Sequence, residues 1–141
     1  MRIEDIPVAD ADSLASVGNV QAILHEIEAL LGGLVDTGVG GSIDLRALPL
    51  APVEYAALEE WLGEGEVQAT IEALGPTLVR ETAVQGVWWV THRNPDDQVT
   101  AELIEVSYLP EILRTDPRDA LAGLDRLRVQ LRAEEGDDDG E

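Results

Sequence analysis

The stretch of sequence that decides the fold lies between residues 66 and 108 and reads EVQATIEALGPTLVRETAVQGVWWVTHRNPDDQVTAELIEVSY. Apolar and polar residues alternate through much of it, and a period of two is typical of half-buried β-strands. Turn-forming residues interrupt the alternation, namely GP at 75–76, QG at 85–86 and NPDD at 94–97. Because connections this short join antiparallel neighbours, the stretch predicts a meander of four strands, over residues 66–73, 77–84, 87–92 and 99–108.

The segments on either side of this stretch have helical periodicity instead. A stripe of apolar residues predicts a first helix over residues 19–31, ended by the glycine pair at 32–33. A second helix is predicted over residues 52–62, because proline is favoured in the first helical turn. One face of this second helix carries four apolar residues, Tyr55, Leu58, Trp61 and Leu62. A third helix is predicted to begin at Pro117, because the pair Asp116-Pro117 resembles an N-cap followed by proline at the first helical position.

The elements together predict an α+β fold, with an antiparallel sheet of four or five strands and helices packed mainly on one face. Residues 42–47 alternate and supply the candidate fifth strand, at an edge of the sheet because Pro49 limits it. We expect a flexible leader over residues 1–17, a single domain over residues 18–133 and a disordered acidic tail over residues 134–141.

The charge of the chain restricts its partners. The formal net charge is −20, and the cations are all arginine. Nucleic acids and anionic membrane surfaces are poor partners for such a chain, because both bind clustered cations. No apolar run approaches the roughly 20 residues that a membrane-spanning helix needs, and the first residues lack the apolar centre of a signal peptide. We therefore expect a cytoplasmic protein that binds neither nucleic acid nor membrane.

The residues able to carry chemistry form no recognisable catalytic or metal motif. The chain has no cysteine, and its histidines, His25 and His92, lack the spacing of metal ligands. We therefore expect no metal, no cofactor and no catalytic residue. A different class of function stays open, because Glu66, Glu81 and Glu105 all lie on predicted strands. A buried pair of such carboxylates could act as acid and base in a small enzyme.

Two adjacent tryptophans, Trp88 and Trp89, lie in the third strand of the meander. Neighbouring residues of a strand point to opposite faces of its sheet, so both faces of this strand are apolar. The predicted helices cover one face, and the other needs cover from this chain, a second copy or a partner. Tryptophan is favoured as an interface anchor. Two alternatives follow: both indoles lie in the core of one chain, or one of them lies in an interface.

Four short segments carry a family resemblance. In chain order they are LGEGEV at 62–67, RETAVQGVWWV at 80–90, IEV at 104–106 and LPEI at 109–112. This ordered set resembles the C-terminal conserved region of the HupH/HyaF family, the hydrogenase expression and formation proteins of nickel–iron uptake hydrogenases. The resemblance implies a chaperone-like assembly role in the cytoplasm, associated with maturation of the iron–sulfur small subunit, and no catalytic activity.

The residues and the resemblance together predict a non-catalytic assembly protein. Its expected partners are a hydrogenase small-subunit precursor, other hydrogenase accessory proteins and a second copy of itself in a homodimer. The alternatives are an acidic adaptor with another client and the small carboxylate enzyme. The residues predicted at a partner or dimer interface are the two tryptophans and four nearby carboxylates: Trp88, Trp89, Glu64, Glu66, Glu81 and Glu105.

Overall fold

The computed structural model describes residues 11–139, with side chains described for residues 18–136. The chain divides into two compact units, the first ending at Tyr108 and the second beginning at Leu109. The predicted domain over residues 18–133 includes residues of both units. Within the described part of the chain, no helix has the length and apolar character needed to span a bilayer.

A five-stranded antiparallel sheet forms the centre of the first unit, with the strand order β1-β5-β4-β3-β2. Its strands are β1 (Gly41–Asp44), β2 (Gln68–Glu72), β3 (Pro76–Glu81), β4 (Val87–Arg93) and β5 (Val99–Val106). The predicted meander is confirmed, and β1 pairs with β5 as an edge strand. β1 is shorter than predicted because residues 45–47 turn into a 3₁₀ helix that buries Leu45 completely.

Two helices, α1 (Ala11–Thr37) and α2 (Pro52–Leu62), cover one face of the sheet, which confirms the predicted fold class. α2 has the predicted bounds. Glu54 accepts a hydrogen bond from the Ala51 N–H at 3.2 Å near its start, and Gly63 follows its end with a φ of 66°. The core between helices and sheet consists of buried apolar residues: Val20, Ile23, Ile27, Leu34, Ile43, Leu45, Leu58, Leu62, Val87, Trp89, Ile104 and Val106.

The first helix is longer than the predicted span of residues 19–31, and the predicted stop at the glycine pair is wrong. α1 continues to Thr37, and Gly38 follows it with a φ of 80°. The extension buries Leu34, which is 2 % exposed. Burying a leucine stabilises by about 1.5–3 kcal/mol, which offsets the roughly 1 kcal/mol that each glycine costs inside a helix. α1 also begins inside the predicted leader, whose residues 1–10 lie outside the described residues.

The second unit contains a short 3₁₀ turn and the helix α3 (Pro117–Asp139). Asp116 caps α3 as predicted, because its Oδ1 accepts the Arg118 N–H at 2.8 Å. The helix extends to Asp139, through most of the segment in which the sequence predicts a disordered tail. Alanine and glutamate at positions 133–135 favour helix, and an established helix gains a hydrogen bond with each added residue. Residues 140–141 lie outside the described residues.

Ile104 lies at the centre of the core on β5 and is fully buried. We expect Ile104→Ala to lower the free energy of unfolding by about 2–5 kcal/mol, because it leaves a cavity between sheet and helices. Urea unfolding followed by circular dichroism measures the change. The control is Val53→Ala, at a position on α2 that is 63 % exposed, where a change within about 0.5 kcal/mol is expected. Equal effects of the two substitutions would contradict this placement of the core.

Tyr55 links α2 to the 3₁₀ turn, where its hydroxyl donates to the Leu45 carbonyl at 2.9 Å. Burial raises the pKa of this phenol above its usual 10.0, the Glu102 and Asp44 carboxylates raise it further, and Arg46 opposes them. The neutral phenol is therefore favoured in the folded state. Its contribution to stability is present below pH 10 and is lost as the pH rises through the higher pKa of the folded state.

We expect Tyr55→Phe to destabilise the protein by about 1 kcal/mol near neutral pH, through loss of this hydrogen bond. The difference between the two proteins should shrink above pH 10, because only the wild-type chain must ionise a half-buried phenol there. Urea midpoints measured from pH 8 to pH 11 give the difference in stability between the two proteins and its change with pH. A difference in stability that is constant over this pH range would contradict the raised pKa of Tyr55.

Candidate functional site

Trp89 lies on the helix-covered face of β4, the middle strand of the sheet. It is 2 % exposed, and its cross-strand neighbours are Arg80 on β3 and Ile104 on β5. The guanidinium carbon of Arg80 lies 5.8 Å from the centre of the indole ring, within the range of a cation–π contact. Arg80 also forms an ion pair with Glu59 at 3.2 Å. This indole is therefore a core residue with a guanidinium over its ring.

Trp88 points to the opposite face of the sheet, as predicted for adjacent strand residues. It is 5 % exposed, and its Nε1 donates to the Ser107 carbonyl at 3.0 Å. Val79 and Val90, a cross-strand pair on the same face, are 0 % and 2 % exposed. Both indoles are thus buried within one chain. Little of either indole is exposed, although Trp88 lines a cavity at the end of α1.

The acidic loop between α2 and β2 is held against β3. The Gly65 N–H donates to the Glu81 carbonyl at 2.8 Å, and the Glu66 N–H donates to the Glu81 carboxylate at 3.1 Å. A Cβ at position 65 would lie 2.5 Å from both Glu81 Oε1 and the Thr82 carbonyl oxygen, so only glycine fits there. Glu64 and Glu66 themselves are exposed. The loop is therefore a fixed turn that presents two carboxylates to solvent.

The structure separates two of the three carboxylates that the enzyme alternative requires, Glu81 and Glu105, and places the third, Glu66, in the loop before β2. Glu81 and Glu105 are the cross-strand neighbours of Trp88 on either side, which separates their backbones by two strand spacings, or about 10 Å. The Glu105 carboxylate accepts the Ser107 hydroxyl at 2.8 Å, and Glu81 accepts the Glu66 N–H. The Glu81 and Glu105 carboxylates thus accept local hydrogen bonds.

A small polar cavity lies between this acidic loop and the Arg80–Trp89 contact. Its volume is about 60 Å³, which is room for one or two water molecules and too small for a metabolite. Arg80 Nε and Trp89 Nε1, both buried, have no hydrogen-bond partner among the described residues. These two donors give the cavity a preference for an acceptor atom, while Glu59 and Glu64 supply carboxylates on its wall.

The histidines are not brought together. His92 Nδ1 lies 2.7 Å from the Thr77 hydroxyl on the neighbouring strand, whereas His25 is exposed on α1. Over residues 18–136, no three histidine or carboxylate side chains are placed so that they could share a metal ion.

Two apolar cavities that share Leu31 lie beside α1, and together we call them the α1 groove. Its first part, about 310 Å³, lies between α1, Trp61 at the end of α2 and Val84. Its second part, about 290 Å³, lies between the end of α1, the β3–β4 turn and Tyr108. Leu31 lines both parts. Sequence reasoning missed the groove, although it assigned Trp61 to the apolar face of α2; the structure leaves Trp61 61 % exposed.

Comparison with known proteins confirms the resemblance seen in the sequence. Residues 17–133 match the family described as HupH hydrogenase expression protein, C-terminal conserved region. The fold is similar to a solved structure, hydrogenase expression protein HupH from Thiobacillus denitrificans, with a TM-score of 0.80 and 39 % sequence identity. The similarity covers 82 % of this chain and 97 % of that one.

Curated relatives carry related names. A hydrogenase expression/formation protein HoxQ of Azotobacter vinelandii is 30 % identical over 87 residues, which is 62 % of this chain and 31 % of the relative. A hydrogenase expression/formation protein HupH of Rhodobacter capsulatus is 30 % identical over 121 residues, 83 % of this chain and 42 % of the relative. The chain thus spans less than half the length of the curated relatives it matches. With the family match extending over residues 17–133, this chain belongs to the family of HupH hydrogenase expression proteins and corresponds to their C-terminal conserved region.

Proposed function

We propose that this chain is a non-catalytic, chaperone-like assembly protein in the maturation of a nickel–iron uptake hydrogenase. In this role it binds the iron–sulfur small-subunit precursor in the cytoplasm. The observation that carries the proposal is the family match over residues 17–133, to proteins named for the expression and formation of hydrogenases. Other hydrogenase accessory proteins are the second class of partner that this role implies.

The distribution of polar groups over the described residues supports binding rather than catalysis. The strand carboxylates and His92 accept or share hydrogen bonds within the sheet and its turns, and the polar cavity beside Trp89 has room for little more than water. The larger openings along α1 are mainly apolar. Apolar surface that stays open in a folded chain is typical of a protein-binding site.

Tagged protein expressed in hydrogenase-producing cells that lack their own copy tests the proposal. We expect the small-subunit precursor to co-purify with the chain and hydrogenase activity to depend on it, because a maturation factor is needed before the enzyme is complete. A precursor of an unrelated exported protein serves as the negative control. Unchanged maturation of the small subunit without this protein, in a host with no second copy, would contradict the proposed function.

We also propose that the chain pairs as a homodimer. With both tryptophans of β4 buried, α3 is the better candidate for the contact. Leu121, Leu124 and Leu127 lie on one side of α3 at intervals of three residues and are 60 %, 42 % and 52 % exposed. A two-fold interface uses the same surface on both copies, so a single apolar stripe can serve both.

Light scattering at low micromolar concentration should give about twice the chain mass of 15.2 kDa. Salt should tighten the pair, because it screens repulsion between two chains of charge −20. Leu124→Ser should raise the dimer dissociation constant by about tenfold or more. Val129→Ser, at a 63 % exposed position on another side of α3, is the control. A mass near 15.2 kDa at low and high salt would exclude the homodimer.

A further inference from the structure

We propose that the α1 groove is the client-binding site, and that its occupant is an amphipathic helix with lysines or arginines along the edges of its apolar face. The inference deepens the proposed function and rests on it for the identity of the client. The shape, the apolar lining and the charge of the groove each restrict the occupant.

The shape of the groove suits one helix. Its two parts share Leu31 and follow α1 from Gln21 to Val35. The helix rises about 21 Å from Gln21 to Val35, so an occupant of about four turns matches that length. The walls at the first part are themselves helices, α1 and the end of α2. An amphipathic helix laid into an apolar groove is a recurrent mode of peptide recognition.

The lining provides anchors for an apolar stripe. Trp61 and Tyr108 border the two parts of the groove and are 61 % and 68 % exposed, while Leu24 and Leu31 are half-buried between them. The Tyr108 hydroxyl donates to the Leu34 carbonyl at 3.1 Å, which holds the ring in place before any client binds. Aromatic side chains at such positions supply most of the binding energy of many interfaces.

The charge of the groove selects a basic occupant. The carboxylates that line its two parts are Glu28 and Glu81, His25 also lines the first part, and among residues 18–136 no arginine lines either part. The chain as a whole carries −20. A helix with flanking lysines is therefore attracted at both parts of the groove, whereas a helix with flanking glutamates is repelled. The groove also lacks the convergent polar groups that orient a small metabolite.

The direct test uses the purified full-length chain and a synthetic 16-residue helical peptide, with leucines on one face and lysines at the edges of that face. The matched probe carries glutamate at every lysine position. We expect the basic peptide to bind at least about tenfold more tightly. It should also shift tryptophan emission to shorter wavelength, because Trp61 is exposed whereas Trp88 and Trp89 are buried. Equal binding of both peptides would overturn the inference.

Four single variants, measured by calorimetry with the basic peptide, locate the binding surface. Glu28→Arg reverses a groove charge, and Glu26→Arg makes the same change two residues away at an exposed position that lines a different cavity. Trp61→Ser removes the anchor, and Val53→Ser makes a comparable change elsewhere on α2. We expect Glu28→Arg and Trp61→Ser to weaken binding about tenfold, and the two controls to change it less than about threefold. Thermal unfolding by circular dichroism verifies that all four fold.

The same variants separate this inference from the proposed function. If the wild-type chain and all four variants capture the hydrogenase small-subunit precursor equally, the groove is not the client site, although the proposed function stands. If peptide binding follows the groove variants and none of the proteins captures the precursor, the groove is a helix-binding site and the proposed function falls. Sedimentation measures whether the wild-type chain and the Trp61→Ser variant are dimers. If the substitution dissociates a dimer, the occupant of the groove is a second copy of this chain and the inference is overturned.

Discussion

The requirement to bury two adjacent tryptophans in the middle strand determines the rest of the first unit. Trp88 and Trp89 point to opposite faces of β4, so neither face of the sheet can stay open at its centre. α1 and α2 close the Trp89 face, and α1 continues through two glycines until Leu34 reaches the same core. On the other face, Trp88 donates to the Ser107 carbonyl and lies beside the buried pair Val79 and Val90.

Burial of Trp88 also places the two neighbouring strand carboxylates where they accept hydrogen bonds from groups of the same chain. Glu81 and Glu105 are separated by the Trp88 position, and each accepts a hydrogen bond from a nearby group. Gly65 brings the acidic loop so close to β3 that a side chain would not fit. The carboxylates therefore stabilise turns and strand ends. One apolar surface that stays open is the α1 groove, where Glu28 and Glu81 lie among the lining residues.

Period-two alternation and short turns were enough to predict β2–β5 and their antiparallel order, because both are local properties of the sequence. The bounds of α2 were predictable from Pro52 and Gly63 for the same reason. The length of α1 was not predictable from local sequence, because only the burial of Leu34 in the core offsets the free-energy cost of two glycines inside the helix. The groove was missed as well. Periodicity placed Trp61 on the apolar face of α2, but the packing of α2 beside α1 decides that Leu58 and Leu62 are buried and Trp61 is exposed.

Hydrogen–deuterium exchange of the chain, alone and with the hydrogenase small-subunit precursor, tests most directly that a maturation client binds along α1. Exchange should slow on addition of the precursor in residues 21–35, around Trp61 and in the β3–β4 turn, which together form the α1 groove. Exchange in the turn of the β2–β3 hairpin, at the other end of β3 from Glu81, should stay unchanged. Slowed exchange confined to that hairpin or to α3, or no change anywhere, would contradict a client site along α1.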